Sequence, residues 1–431
     1  MNVDPAGNPT GLHGDRYEFW IYRQISKRLA SGELAVDDSL RHRRFSDELV
    51  AADREAEVRR NLSLPWLNPP VEATLELLCA DLDRRWQVFG RELRHGKLKH
   101  LDYDPQRHTL SLRKPKADRD EAALQDAVYG KLAVQGIADV FHFVNAQSGF
   151  LSALAPLQPR YAKKIANDDS LMAVIVARGI GYGNFRMAET CDIAYHVLEE
   201  TDRQHVRLAS LREACDRISN FIADLPIFPL YTFDPGLLYG SVDGQKFAAA
   251  EPTIKARYSR KYFGKGKGVV AYTLLANHVP LETELIGANE HESHYVFDIC
   301  YHNTTDILPA AITGDMHSVN RANFAILHWF GLKFAPRFTN LQAQLPHLYC
   351  ASDPARDSHL LPPAGQIDRG LIAAEKERID QIVATLGLKE MSQSTLVRKL
   401  CALPQHNPEL WPNLGDGELR KAAYRGGWKP A

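Results

Sequence analysis

The chain has 431 residues, enough for two or three domains that each have a hydrophobic core. Apolar residues make up 45% of it and charged residues 24%, which is typical of a globular protein and excludes an intrinsically disordered one. Because 52 Lys and Arg residues are balanced by 53 Asp and Glu residues, any contact with nucleic acid must come from a local basic patch.

The cysteines and the hydropathy indicate an intracellular location. The six cysteines are scattered and form no C-x-x-C pair, which argues against a disulfide framework and a zinc ribbon: Cys79, Cys191, Cys215, Cys300, Cys350 and Cys401. The N-terminus lacks an apolar leader, and no run of about eighteen apolar residues follows. We therefore expect a cytoplasmic protein, at most associated with the nucleoid, that does not span a membrane.

The first half of the chain is predicted to be mainly helical. Residues 1–15 are rich in Gly, Pro and Asn and indicate a flexible lead. Apolar residues three and four apart then predict helices at residues 16–30, 71–93, 134–154, 170–178, 187–198 and 206–225. Pro226 and Pro229 predict a boundary, so residues 16–229 are expected to form a helical scaffold and dimerisation region with linkers.

The glycines of residues 179–183, Gly-Ile-Gly-Tyr-Gly, have the spacing of a phosphate-binding loop. No Lys-Ser or Lys-Thr pair follows them, and they lie between predicted helices instead of after a strand. We therefore predict a turn between two helices.

Residues 230–345 change to a pattern of strands with two helices. Alternating hydrophobicity and turn residues predict a hairpin at residues 264–268, helices at 290–301 and 321–330, and strands at 233–242, 254–262, 269–275, 281–286, 309–314 and 332–335. Asp243 follows the first strand, and Asp315 follows the strand of residues 309–314. A carboxylate at the end of a buried strand is costly without a cation nearby, so two of them suggest a shared metal ion. The alternative is that each is an ordinary strand-end or turn residue.

The strongest local basic patch lies around the predicted hairpin and comprises Arg257, Arg260, Lys261, Lys265 and Lys267. Tyr258, Tyr262 and Phe263 lie among these residues. Contact with DNA phosphates is one interpretation, and a solvated hairpin with an aromatic inner face is the other. Arg337, which follows Pro336, is a further candidate for contact with DNA or with a carboxylate.

Histidines and glutamates cluster near the start of the helix predicted at residues 290–301. His291 and His294 are three residues apart, and His278, Glu290 and Glu292 add possible zinc ligands. No second ligand pair at matching spacing occurs, so zinc is the less favoured interpretation.

The last part of the chain changes character again. Residues 346–403 are expected to form a helical region, with amphipathic patterns at 371–386 and 392–403. Periodicity is lost from Pro404 onward. We interpret residues 404–431 as an irregular tail outside the same fold, consistent with a frameshift.

Several of these motifs resemble the transposases of the Tn3 family of replicative transposons. The most specific are Ser-Val-Asp-Gly-Gln-Lys-Phe at residues 241–247 and Ala-Arg-Tyr-Ser-Arg-Lys-Tyr-Phe-Gly at 256–264. Further matches lie at residues 289–295, 315–317, 323–325 and 334–337. The resemblance extends from about residue 15 to residue 403 and so covers most of the chain.

The resemblance implies a DDE transposase, which cleaves DNA at transposon ends and joins the 3′-hydroxyl to target DNA by two-metal phosphoryl transfer. It implies a mixed α+β or α/β fold, with a helical N-terminal half followed by a ribonuclease-H-like mixed sheet with flanking helices. Asp243 and Asp315 match the two family aspartates, which bind two Mg²⁺ ions together with a distant glutamate; Mn²⁺ is an alternative. The residues implied to line the catalytic cleft are Gln245, Glu290, His291, Glu292, His294 and His317.

Departures from the family pattern lower the activity that we expect of this chain. Ser318 stands where the family has Gly, and Gly314 replaces a more typical Thr or Asp beside Asp315. Family members are much longer, and Glu418 is a weak stand-in for the family glutamate. We therefore expect a truncated transposase with reduced or no activity, whose partners are DNA and either a second copy in a homodimer or a full-length transposase.

Two other functions remain as alternatives. One is a non-catalytic regulator that associates with full-length transposase or with DNA. The other is a decayed gene product without a role.

Overall fold

The computed structural model of the chain describes residues 2–3, 9–11, 13–31, 34–39, 42–51, 54, 60–62, 64, 67, 69–98, 100–107, 109–112, 129–131, 133–157, 166–251, 253–338, 340–353 and 361–402. These residues form two compact units. The first draws on Met1–Pro115, Glu290–Asp298 and Gly314–Ala431, and the second on Lys116–Asn289 and Ile299–Thr313. Each unit combines segments that are distant in sequence, and the predicted domain boundaries stay predictions.

The fold mixes helices and strands, as predicted. The helices within the described residues are α1 (Gly14–Ser31), α2 (Phe45–Glu48), α3 (Val71–Arg94), α4 (Ile137–Ser148), α5 (Asp168–Gly179), α6 (Gly183–Thr190), α7 (Tyr195–His205), α8 (Leu208–Ala223), α9 (Arg260–Phe263), α10 (Val296–Tyr301), α11 (Arg321–Trp329), α12 (Arg369–Ala374), α13 (Lys376–Gly387) and α14 (Gln393–Ala402). The strands are β1 (Asn2–Val3), β2 (Pro9–Gly11), β3 (Leu101–Asp104), β4 (Thr109–Leu112), β5 (Tyr239–Ala249), β6 (Arg257–Tyr258), β7 (Lys267–Ala276), β8 (Val279–Gly287), β9 (Ala311–Gly314), β10 (Lys333–Phe334), β11 (Tyr349–Cys350) and β12 (Gly365–Gln366).

In the first unit, the long helix α3 packs its apolar stripe into a core. Trp86 is buried together with Cys350 and Leu361, and residues three or four positions away on the helix pack against them. The indole Nε1 of Trp86 also donates a hydrogen bond to the Tyr349 carbonyl at 3.0 Å, which satisfies its polar atom. The stripe of residues 71–93 is therefore core packing, as predicted.

In the second unit, helices α4–α8 surround two adjacent apolar clusters. One contains Phe150, Leu171 and Met172, and the other contains Val174 and Leu198. Helix α5 contributes to both clusters, because it is buried on more than one side. Its N-terminus is capped by the Asn167 side chain, which accepts a hydrogen bond from the Ser170 backbone N–H at 2.9 Å.

The sheet of the second unit is built around β7. Strand β5 pairs antiparallel with β7 from Gly240, opposite Ala276, to Ala249, opposite Lys267. Strands β6 and β8 pair with successive parts of the other edge of β7, and β9 neighbours β5. Helix α8 packs against β8, where Ser219 Oγ donates to the Pro280 carbonyl at 3.0 Å.

The strand predicted at residues 233–242 begins six residues later and runs further than predicted. Asp234, Pro235 and Gly236 form a turn, with the Leu237 N–H donating to the Asp234 carbonyl at 3.0 Å and Gly236 at φ +83°. Pairing with β7 then keeps the chain extended to Ala249. Asp243 consequently lies inside β5 and not after its end, so that part of the prediction was wrong.

Other elements also differ from the predictions; the helix predicted at residues 371–386, for example, is divided into α12 and α13 at Glu375. Of the strand predicted at residues 254–262, only Arg257–Tyr258 is extended, and the one-turn helix α9 follows because the Phe263 N–H donates to the Ser259 carbonyl. The helix predicted at residues 187–198 is two helices, since α6 ends at Thr190 and the chain is extended at Cys191. The glycines of residues 179–183 form a turn between α5 and α6, as predicted.

Some predictions fall partly or wholly outside the described residues. Residues 404–431, including Glu418, are among these. The predicted flexible lead is described in part, with β1 paired to β2 and α1 beginning at Gly14. Across the parts of the chain that the structure covers, no helix combines the length and apolarity needed to cross a membrane.

Candidate active site

Asp243 lies on the exposed face of the long strand β5. Burial alternates along the strand, so Val242 is buried while Asp243 and Gln245 are exposed. Its Oδ1 accepts a hydrogen bond from the Gly244 backbone N–H at 2.8 Å. On the adjacent strand, Thr273 is its direct cross-strand partner. The carboxylate is therefore oriented by a local contact and accessible to a ligand.

Asp315 follows β9 and begins a single turn of 3-10 helix, Met316–Ser318. Its Oδ1 accepts from the His317 backbone N–H at 2.8 Å, and its carbonyl accepts from the Ser318 N–H at 3.1 Å. Just before it, the Gly314 carbonyl accepts from the Arg337 N–H at 2.8 Å. These contacts fix the carboxylate at a strand end, as the sequence predicted.

The two aspartates belong to different compact units, and their joint binding of a metal ion stays a prediction. The weak third candidate, Glu418, lies outside the described residues. Among the residues that are described, no group of three or more His, Cys, Asp or Glu side chains is placed to hold a metal ion. The residue types at Asp243 and Asp315 nevertheless suit Mg²⁺, which prefers hard oxygen ligands.

The predicted DNA-binding residues of the second unit are brought together. They are all exposed and lie on β6, α9, the following turn and the start of β7: Arg257, Arg260, Lys261, Lys265 and Lys267. Within the described part of the chain, none of them forms an ion pair with an acidic side chain. Arg257 differs from the others, because its Nη1 donates to the carbonyls of Ile254 and Ala256.

We call these five residues and their surroundings the basic region. Lys246 also belongs to it, although the sequence analysis did not select this residue. Its ammonium group lies 4.7 Å from the centre of the Tyr262 ring, and that of Lys261 lies 4.9 Å from the same ring. Side chains alternate between the two faces of β5, so Lys246 lies on the face opposite the exposed Asp243 and Gln245. Its contact with Tyr262 depends on the pairing of β5 with β7. The one sequence signal was its place in the motif of residues 241–247.

The residues predicted to line a cleft in the first unit form a small polar cluster. The Arg398 guanidinium contacts Glu290 at 3.1 Å, and the rings of His291 and His294 stack with their centroids 5.4 Å apart. His291 Nδ1 lies 2.8 Å from the Ser293 hydroxyl, and Glu292 is buried. The helix predicted from Glu290 begins here as the 3-10 turn Glu292–Tyr295, which continues into α10.

Burial lowers the pKa of His294 to about 4, and the nearby charges of His291 and Arg398 add to this effect. Burial likewise raises the pKa of Tyr295 to about 12, with Glu290 contributing. His294 is therefore neutral at pH 7. His317 and Arg337 are exposed, and His317 contributes its backbone N–H to Asp315.

The sequence analysis also missed two buried amide side chains of the first unit. Asn323 and Gln393 are both 0% exposed, and a hydrogen bond joins their side chains across 70 residues of sequence. Asn323 lay inside a recognised motif, but nothing in the periodicity indicated a buried partner. A polar residue on the apolar side of a predicted helix was the only available signal.

Comparison with known proteins supports the family resemblance that the sequence motifs indicated. Residues 139–421, more than half of the chain, match the family model described as the Tn3 transposase DDE domain. This match continues past Leu403, where the sequence analysis placed the end of the family pattern, and includes Glu418.

The curated relatives that match most of the chain are transposases. The transposase for transposon Tn2501 of Escherichia coli is 23% identical over 402 residues, covering 93% of this chain and 40% of the relative. The transposase for Tn501 of Pseudomonas aeruginosa is 23% identical, with 93% and 40% covered. The transposase for Tn4556 of Streptomyces fradiae is 24% identical, with 79% and 38% covered. The chain spans about two fifths of the length of these relatives, and it belongs to the Tn3 transposase DDE domain family.

Proposed function

We propose that this chain acts in DNA transposition and that Asp243 and Asp315 are two of the catalytic carboxylates of a DDE transposase. The observation that carries the proposal is the order of strands. Strand β9, which leads into Asp315, neighbours β5, which carries Asp243. A ribonuclease-H-like sheet has this arrangement of its carboxylate-bearing strands, and the family membership favours the same fold.

The residues would hold Mg²⁺, or Mn²⁺ in its place, through carboxylate oxygens of Asp243 and Asp315. In each case a backbone N–H orients one oxygen, from Gly244 and from His317. Such oriented oxygen donors fit a hard divalent cation. When bound, the metal supplies Lewis-acid stabilisation and alignment of the attacking and leaving oxygens at a phosphate. Glu418 remains the candidate for the third carboxylate.

The basic region around α9 supplies a surface for the DNA backbone. Two of its five exposed cations, Arg257 and Lys267, lie on strands of the sheet that carries Asp243, and the other three lie on α9 and the turn that follows it. Lysine and arginine side chains neutralise phosphates without reading sequence, so this region would hold DNA and not select a particular site.

Cleavage of DNA by the purified chain tests the catalytic role. We expect weak Mg²⁺-dependent nicking of supercoiled plasmid by the unaltered chain, and its loss in Asp243→Asn and in Asp315→Asn because each removes a charged ligand. Asp234→Asn is the matched control, since Asp234 is an exposed aspartate of the turn before β5. Equal activity in Asp243→Asn and in the unaltered chain would contradict the proposal.

A non-catalytic regulator that binds full-length transposase is the second candidate. Helix α1 favours it, because Tyr17, Phe19, Trp20 and Tyr22 expose large aromatic surfaces, with Phe19 at 69% and Trp20 at 54%. Exposed aromatic residues are common anchors of protein interfaces. Absence of nicking by the unaltered chain, together with binding to purified full-length transposase that Phe19→Ser abolishes, would favour this function.

A further inference from the structure

Two buried amide side chains join three separate segments of the first unit. Asn323, on α11, donates from Nδ2 to the carbonyls of Ser293 at 2.8 Å and Ser318 at 3.0 Å. Gln393, the first residue of α14, donates from Nε2 to Oδ1 of Asn323 and accepts at Oε1 from the Phe297 N–H at 2.7 Å. Both residues are 0% exposed, so water does not substitute for these bonds.

The partners determine which way each amide points. The carbonyls of Ser293 and Ser318 only accept hydrogen bonds, so the Asn323 nitrogen must face them and its oxygen must face Gln393. The Phe297 N–H only donates, so the Gln393 oxygen must face it and its nitrogen must face Asn323. The chain of bonds therefore has a single direction, and no group within it can be reversed without leaving a buried polar atom unpaired.

At one end, this series of hydrogen bonds reaches the turn that holds Asp315. Ser318, whose carbonyl Asn323 contacts, ends the 3-10 turn that starts after Asp315, and its N–H donates to the Asp315 carbonyl. His317 in the same turn donates to the Asp315 carboxylate. A shift of Ser318 would consequently move the donor that orients the carboxylate.

The other end is anchored by Asp298. Its two carboxylate oxygens accept from the backbone N–H groups of Gln393 at 2.6 Å and Ser394 at 3.0 Å, which caps the start of α14. Asp298 is itself buried, at 5% exposed. Gln393 is therefore held at its backbone and at its side chain, and it has little freedom to follow Asn323 if the latter moves.

We propose that Gln393 is a positioning residue for Asp315, acting through Asn323 and the Ser318 carbonyl to fix the carboxylate in the orientation that binds a divalent cation. The inference rests on the proposed function of Asp315 as a metal ligand. Residues that hold a ligand in place commonly change metal affinity by about 10- to 100-fold when removed.

Binding of Mn²⁺ to the full chain, followed by electron paramagnetic resonance, tests this role without requiring activity. Gln393→Met keeps the length of the buried side chain and removes its hydrogen bonds, and we expect about a tenfold weaker affinity at the Asp315 site. Hydrogen exchange of the His317 and Ser318 amides in the metal-free protein should accelerate in parallel. Gln381→Met is the matched control, because Gln381 is a glutamine of the same unit that donates to a carbonyl elsewhere, that of Val50.

A double-mutant cycle separates positioning from general loosening. If Gln393 acts through Asp315, Gln393→Met adds no further loss of Mn²⁺ affinity to Asp315→Asn. An equal additional loss in that background, or wild-type affinity in Gln393→Met, would overturn the inference while leaving the proposed function intact.

Two further outcomes are decisive. If Asp315→Asn binds Mn²⁺ with the same affinity as the unaltered chain, Asp315 is not a metal ligand. That result would overturn both the proposed function and this inference. If Gln393→Met does not fold, Gln393→Ser takes its place, because its shorter side chain cannot reach Asn323 or the Phe297 N–H and leaves room for water. The same tenfold loss is expected for Gln393→Ser, and unchanged affinity would overturn the inference.

Discussion

Arg212 donates a hydrogen bond from Nη2 to Oε1 of Glu282 at 2.9 Å, which joins helix α8 to strand β8 of the second unit. The Glu282 side chain is 4% exposed and that of Arg212 is 40% exposed. The Thr283 N–H donates to the same oxygen at 3.1 Å, while Oε2 is buried and has no hydrogen-bond partner among the described residues. The carboxylate therefore depends on Arg212 to balance its buried charge.

Arg212→Met should destabilise the protein strongly. It leaves a buried carboxylate without its cation, and we expect the free energy of unfolding to fall by about 3 kcal/mol. Urea denaturation followed by circular dichroism measures the change. Arg203→Met is the control, because its pairing with Glu200 is exposed and should contribute less than about 1 kcal/mol.

A second substitution tests whether the buried charge is the cause. Glu282→Gln removes that charge, so the double variant Arg212→Met with Glu282→Gln should recover part of the lost stability. If the double variant is no more stable than Arg212→Met, the loss comes from packing of the arginine stem and not from the carboxylate.

Ser318→Ala should stabilise the protein. The Ser318 side chain is 0% exposed, and its hydroxyl has no hydrogen-bond partner within the described residues. A buried hydroxyl without a partner has lost its contacts with water and gained none, so its removal is expected to raise the free energy of unfolding by about 1 kcal/mol. Chemical denaturation of the metal-free chain provides the measurement.

Ser293 is the matched control for this substitution. It is 1% exposed and its hydroxyl lies 2.8 Å from His291 Nδ1, so Ser293→Ala removes a hydrogen bond that is made. We expect a loss of about 1 kcal/mol, opposite in sign to the effect at Ser318. Destabilisation by both substitutions would show that Ser318 has a partner in solution.

Local patterns predicted the long elements well because their cause is local. Helix α3 appears at residues 71–94 because apolar residues recur at helical spacing from Val71 onward, directly after the N-cap residue Pro70. Asp243 was misplaced for an equally physical reason. The apolar run before it contains the Pro235–Gly236 turn, and only the pairing with β7 decides where the strand begins and ends.

The candidate site could be predicted only where its residues lie within a motif. Asp243 and Asp315 occupy recognisable strand-and-turn sequences, whereas the amide chain joins Asn323 to a residue 70 positions away and Asp298 to one 95 positions away. A single sequence carries no signal for such pairs. Lys246 was missed for the same reason, since its contact with Tyr262 depends on how two strands pair.

Acid should destabilise the first unit through His294. Its pKa is about 4 when folded, against 6.5 for an unperturbed histidine, because burial and the charges of His291 and Arg398 oppose protonation. Between pH 6.5 and about 4 the unfolded chain binds a proton that the folded chain does not, so this contribution to stability is full above pH 6.5 and is lost as the pH falls. His294→Gln should therefore flatten the dependence of the urea midpoint on pH.

The control for the acid effect is His142→Gln. His142 is more than half exposed and belongs to the second unit, so this variant shows what the replacement of a histidine outside the first unit does to the slope. A slope in His294→Gln equal to that of the unaltered chain would assign the acid sensitivity to other groups.

Lys265 and Lys267 decide between the two interpretations of the basic region. Both are exposed and neither pairs with an acid among the described residues, so each is available to a phosphate. If each contacts duplex DNA, Lys265→Gln and Lys267→Gln should each weaken binding and make the plot of log affinity against log salt shallower by about 0.9. Fluorescence anisotropy of a labelled duplex, titrated at several salt concentrations, measures both quantities.

Lys131→Gln completes this comparison, because Lys131 is an exposed lysine of the same unit outside the basic region. Removing any one positive charge weakens long-range attraction to DNA slightly, but only a lysine that displaces counterions from phosphates alters the salt slope. A shallower slope for Lys265→Gln and Lys267→Gln and an unchanged slope for Lys131→Gln would establish phosphate contact. If all three variants instead keep the salt slope of the unaltered chain, a solvated hairpin is favoured. The DNA surface would then have to be sought around Arg337.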